Sequence, residues 1–171
     1  MLLRWWAVFA LIASAAMLAG AHWFESQGLA PCPLCLRQRE VYWMAIAVAG
    51  PAVAWTLITR AKGTPRLAAF ALFAIFIAGV VTATFHAGGE QGWWALPATC
   101  MGSTGPISAG DILSSLNGPS DVPSCGDIPW SWLGLSMAAW NAIISAVLAG
   151  LSLAAAMRPR DAQAPRLYRE P

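Results

Sequence analysis

Residues 31–40 read PCPLCLRQRE: Cys32 and Cys35 have two residues between them, prolines stand at 31 and 33, and Arg37 and Arg39 follow. Cysteines at this spacing can cycle between a dithiol and a small disulfide ring, and the attacking species in such exchange is the thiolate. A helix that begins near Leu34, with Pro33 in its first turn, puts both sulfurs at a helix N-terminus, where the macrodipole favours negative charge. Arg39 lies four residues after Cys35 on the same helix face, within reach of its sulfur, and its guanidinium acts in the same direction. Cys35 is therefore the candidate for a persistent thiolate. Arg37 points elsewhere on a helix and reads as a headgroup anchor, a role open to Arg39 as well. Cys100 and Cys125 complete the cysteines, and His22 and His86 are the histidines. Such a set could bind zinc, but zinc modules usually carry two closely spaced ligand pairs, and here 24 residues separate the second pair. No metal site is expected.

The scaffold that must hold these groups follows from composition. Of the 171 residues 58% are hydrophobic and 11% charged, whereas soluble domains carry about a quarter charged residues. This is the composition of a membrane protein, with room for a few spans and one modest loop in a single domain over 1–171. Four stretches, 5–24, 41–59, 67–85 and 133–157, lack formal charge for about the 20 residues that a bilayer core requires. Each must be a helix, because lipid offers the backbone no hydrogen-bond partner. The fold class expected is an all-α bundle of four transmembrane helices. Arg4 and Ala19-Gly20-Ala21 also fit a cleaved signal peptide, an alternative that leaves the orientation unchanged.

Lys and Arg residues near span ends mark the cytoplasmic side. Arg4, Arg60, Lys62, Arg66, Arg158, Arg160, Arg166 and Arg169 fall on one side, against Arg37 and Arg39 on the other. Both termini are thus expected in the cytoplasm, and all four cysteines outside. These basic residues are a topology signal and form no aromatic-interleaved patch, so no nucleic-acid partner is expected. Trp5 and Trp6 fall at the inner edge, and Trp23, Trp43, Trp93, Trp94, Trp130 and Trp132 near the outer one, as interfacial anchors do. The segment 86–131, rich in Gly, Pro, Ser and Asp, reads as one long outer loop with a short helix near 112–116, and 158–171 as a disordered cytoplasmic tail.

An oxidising outer compartment favours two disulfides, most simply Cys32 with Cys35 and Cys100 with Cys125. Closing the 26-residue loop between Cys100 and Cys125 stabilises by roughly 3.5 kcal/mol on the chain-entropy model, and closing four residues by about 2 before strain is subtracted. A staple at Cys32 and Cys35 holds together almost nothing, so reactivity is the better account of it. Two thiol pairs on one face suggest a relay by thiol–disulfide exchange. No nucleotide-binding motif is present, and a thiolate at the membrane rim would most naturally meet a lipid-soluble acceptor such as a quinone. The competing reading is a non-enzymatic membrane scaffold with two inert disulfides.

The order of four spans, PCPLCLRQRE before the second, TFHAGGEQGWWALPATC after the third and CGDIPWSWLGLSMAAWN leading into the fourth closely resembles the bacterial disulfide bond formation protein B (DsbB) family. The resemblance covers nearly the whole chain. It implies an inner-membrane oxidoreductase with its cysteines facing the periplasm. Cys100 would be attacked by a DsbA-like periplasmic thiol oxidase, Cys125 would then attack Cys32, and Cys35 would react with ubiquinone or menaquinone. It further implies that Arg39 and His86 lie beside the quinone. Without the resemblance His86 would read as an interfacial histidine, as His22 still does. Two features depart from better-known members: Pro33 between the first two cysteines, and Glu90 where a neutral polar residue is expected.

Overall fold

The computed structural model describes residues 2–61, 63–97, 100 and 123–158. The expected short helix near 112–116 and most of the expected tail lie outside these residues. A 3-10 turn, Leu2–Trp5, leads into α1 (Trp6–Ser26), followed by α2 (Pro33–Ile58), α3 (Arg66–Glu90) and α4 (Met137–Ala156). All four helices are long and apolar enough to cross a membrane.

The buried positions explain why they pack. On α3 Ala69, Leu72, Phe76, Gly79, Ala83 and His86 are buried, and on α4 Ala138, Asn141, Ser145, Leu148, Ser152 and Ala155. Both sets alternate steps of three and four residues, the spacing that keeps one face of a helix against a neighbour along its length. Most of these side chains are small, so the backbones approach closely, which is how helices associate where lipid removes the hydrophobic drive. At Gly79 an added Cβ would lie 3.0 Å from the Ser145 hydroxyl and 3.1 Å from Val41. α3 packs most extensively on α4, and α2 lies against both α1 and α3. Large apolar side chains such as Ile58, Leu67 and Val81 point outward instead, the inverse of a soluble core.

The helix limits differ from the charge-free runs at the end of the bundle where α2 and α4 begin and α3 stops. α2 begins at Pro33 and includes Arg37, Arg39 and Glu40 in its first turns, whereas the charge-free run starts at 41. α3 continues past 85 through His86 to Glu90 despite Gly88 and Gly89. α4 begins at Met137 because residues 131–136 form a small antiparallel hairpin, β1 (Ser131–Trp132) and β2 (Leu135–Ser136). Its two turn residues, Leu133 and Gly134, have φ of 53° and 76°, the left-handed pair that a tight hairpin turn requires. Ser136 then caps α4 by accepting from the Ala139 N–H at 3.2 Å.

Gly88 and Gly89 let the chain fold back on α3. A Cβ at Gly88 would overlap the Trp94 ring, and one at Gly89 the Leu96 side chain. The Trp94 indole N–H donates to the Phe85 carbonyl at 3.0 Å, and Cys100 packs in a buried cluster with Cys32 at the start of α2. Gly88→Ala is therefore expected to cost about 1–3 kcal/mol through overpacking, read as a lowered melting temperature in detergent. Trp6, expected at the lipid edge, is instead 2% exposed, its indole N–H donating to the Ser152 hydroxyl at 2.9 Å.

Candidate functional site

Cys32 is the N-cap of α2, and its sulfur accepts from the Cys35 N–H at 3.2 Å, with Pro33 filling the first position where no N–H is needed. The helix-end amide thus meets Cys32 rather than Cys35. The two sulfurs are 2.7 Å apart, closer than van der Waals contact. The Cys35 sulfur beside it, and then burial, push the Cys32 thiol well above the usual thiol range.

Cys100 and Cys125 meet through their backbones, the Cys125 N–H donating to the Cys100 carbonyl at 2.9 Å. Cys32, Cys100 and Cys125 are all buried in one cluster, with Leu34, Cys35 and Leu96 packed against it. All four cysteines therefore gather at one end of the bundle, brought there by the start of α2, the fold-back after α3 and the segment before the hairpin.

His86 stands among them rather than at a lipid interface, 3% exposed. The Gln38 amide nitrogen donates to its Nδ1 at 2.8 Å, which leaves the proton on Nε2. That Nε2–H donates to the Cys125 carbonyl at 3.1 Å and lies 3.7 Å from the Cys32 sulfur. Behind it a polar chain runs into the bundle: Asn141 donates to the Gln38 carbonyl oxygen, and Tyr42 donates to Asn141 and lies 3.3 Å from the Ser145 hydroxyl. A Glu90 carboxylate oxygen lies 3.7 Å from His86 Nε2, and the other accepts from the Ser136 hydroxyl, tying the end of α3 to the start of α4.

Arg39 reaches across to α1, donating to the Glu25 carboxylate at 2.6 Å and to the Ala21 carbonyl at 3.2 Å. Arg37 pairs with Glu40 at 3.0 Å on the exposed side. Beside the thiols a cavity of about 810 Å³ is lined by apolar groups of α1 and α4, including Met17, Phe24, Trp140 and Ile144, and by Cys32, Cys35, Arg39, His86 and Glu90. Trp130 and Trp132, expected as interfacial anchors, also line it. An apolar chamber with a few convergent polar groups is the usual form of a small-molecule site.

Gln38, Tyr42 and Asn141 are the site residues that sequence reading passed over. Polar side chains at membrane depth were the available signal, but Gln38 stands between two arginines and Asn141 in an otherwise apolar run.

The model of the family described as disulfide bond formation protein DsbB matches residues 3–155. Disulfide bond formation protein B of Xanthomonas oryzae pv. oryzae (strain MAFF 311018) is 31% identical over 165 residues, covering 87% of each chain. The Methylococcus capsulatus protein of the same name is 32% identical over 150 residues, covering 81% of this chain and 85% of its own. That of Marinobacter nauticus is 29% identical over 172 residues, covering 92% and 96%. No solved structure matches. With four membrane-length helices and four cysteines gathered at one end, the chain belongs to the DsbB family and is a multi-pass membrane protein of disulfide formation.

Proposed function

We propose that this protein is a quinone-dependent thiol oxidoreductase that reoxidises a DsbA-like periplasmic dithiol protein, with both termini in the cytoplasm and the cysteines facing the periplasm. The observation that carries the reading is the convergence of Cys32, Cys125 and His86, whose ligand atoms lie within 4.8 Å of one another, next to a largely apolar cavity that Cys35 lines.

The cycle starts from two disulfides, Cys32–Cys35 and Cys100–Cys125. A partner thiolate attacks Cys100, forming a mixed disulfide and releasing Cys125 as a thiolate. Cys125 attacks Cys32, making Cys32–Cys125 and freeing Cys35. The partner's second thiol then resolves its bond to Cys100 and leaves oxidised. Cys100 attacks Cys125, restoring Cys100–Cys125 and leaving Cys32 and Cys35 as a dithiol. That dithiol loses two electrons and two protons as its bond re-forms. The apolar cavity fits a quinone head and the start of its tail, and bound quinone supplies the two-electron, two-proton acceptor. Arg39 and Glu90 both line that space, and the His86 Nε2–H is a donor close to the reacting sulfurs. Residues further into the bundle keep that donor aimed, since Gln38 holds its tautomer.

The test mixes purified protein, a reduced DsbA-like partner and ubiquinone or menaquinone. Quinol and oxidised partner should appear in equal amounts. A partner that stays reduced, with both bridges intact whether or not quinone is added, would support inert bridges on a scaffold instead. Arg39→Met should raise the quinone KM by roughly tenfold or more, the loss of a hydrogen bond from a charged group. Arg39→Lys should do less damage, and Arg37→Gln should leave the curve of rate against quinone unchanged. Equal curves for Arg39→Met and wild type would reduce Arg39 to a partner of Glu25.

A further inference from the structure

Three buried side chains from separate segments face one another: Cys32 before α2, His86 near the end of α3 and Cys125 ahead of the hairpin. One sulfur or nitrogen from each lies within 4.8 Å of the other two, and the Cys32 sulfur is 3.7 Å from His86 Nε2. Zinc bonds of about 2.3 Å to sulfur and 2.0 Å to nitrogen place tetrahedral ligand atoms roughly 3.5 Å apart, so small side-chain rotations close the set. Gln38 grips the far nitrogen of the imidazole at 2.8 Å, the kind of outer contact that orients metal-binding histidines.

We propose that in the reduced protein Cys32, His86 and Cys125 form a binding site for a thiophilic divalent cation of the zinc class, with the fourth position open to water. Binding makes two metal–thiolate bonds and one metal–imidazole bond and releases two thiol protons, and no electron moves. His86 Nε2 gives up its bond to the Cys125 carbonyl, and its proton moves to Nδ1. Gln38 turns its amide so that oxygen accepts that proton. Asn141 and Tyr42 can reverse with it, because each carries a donor and an acceptor. The soft sulfur ligands select zinc-like ions over magnesium or calcium. His86 is 54 residues from Cys32 and 39 from Cys125, which is why no ligand spacing shows in the sequence. The site needs neither quinone nor partner and does not rest on the reading above. It exists only while both thiols are reduced, so the cation and a Cys32–Cys125 disulfide exclude each other.

The experiment titrates cobalt(II) into the reduced full-length protein in detergent, without quinone, partner or residual reductant. One equivalent should give the visible bands of tetrahedral cobalt and a thiolate charge-transfer band, zinc should displace it, and two of the four thiols should become unreactive. Cys125→Ser, Cys32→Ser and His86→Ala should each weaken binding at least tenfold, and His86→Cys should recover it with a shifted spectrum. Cys35→Ser and Cys100→Ser should bind as wild type does. Loss of binding in Cys35→Ser with retention in Cys125→Ser would assign the metal to the Cys32–Cys35 pair and overturn the site. Absence of tetrahedral bands in the wild type would overturn it as well.

Discussion

Cys125→Ala should stop the relay at its first covalent step. Once the partner has attacked Cys100, release depends on a thiolate that leaves from position 125 and moves on to Cys32. In the variant Cys100 has no disulfide of its own, so the partner is presented in its oxidised form to the Cys100 thiol, and the mixed disulfide that results has no internal thiol at 125 to pull it forward. The adduct should approach one partner per protein on non-reducing gels, and steady-state quinone reduction should fall by roughly three orders of magnitude or more, as when one member of a catalytic unit is removed. Cys100 and Cys125 are 2% and 1% exposed, so formation of the adduct also requires that this cluster open to a protein-sized thiol. An adduct through Cys32, or none with an active partner, would reverse the assigned order.

Cys35→Ser should separate the two halves of the reaction. The Cys100–Cys125 disulfide remains, so one equivalent of reduced partner should still be oxidised in a rapid burst. Afterwards nothing can rebuild the Cys32–Cys35 bond, and quinone reduction should be lost by about the same factor. Serine keeps the volume and the helix start, since the capping sulfur belongs to Cys32. A variant that continued to reduce quinone in the steady state would move the electron exit to another thiol.

How far the sequence was legible depends on where charge and burial disagree. The cores of the four helices stand out as uncharged runs, because lipid excludes charge there. Their ends near the cysteines do not. Arg37, Arg39 and Glu40 belong to α2 yet break its apolar run, since their side chains reach a neighbouring helix or the exposed side instead of lipid. Gly88 and Gly89 read as loop but are helical, their missing side chains filled by Trp94 and Leu96. Leu133 reads as the start of a span but takes a turn conformation with positive φ. The pairings that place Cys32 near Cys125, and His86 near both, join distant segments, and no local pattern encodes them. The handling of His86 by Gln38, Asn141 and Tyr42 was hidden for the same reason.

The closeness of Cys125 to Cys32 bears on competition with free thiols. Cys125 is tethered on one side through the hairpin to α4 and on the other through its backbone bond to Cys100, and its sulfur lies within 4.8 Å of that of Cys32. A nucleophile held this way acts at an effective concentration set by the tether, millimolar for a slack linker and far higher for one already aligned, with values of about 10⁵ M and above for rigid intramolecular reactions. A small thiol dissolved at millimolar levels around the membrane reaches Cys32 only by collision, and into a buried cluster. On the proposed relay, electrons from the partner would pass through this junction while those of ambient thiols are held out, and the fidelity of the route would come from proximity rather than from any difference in sulfur chemistry.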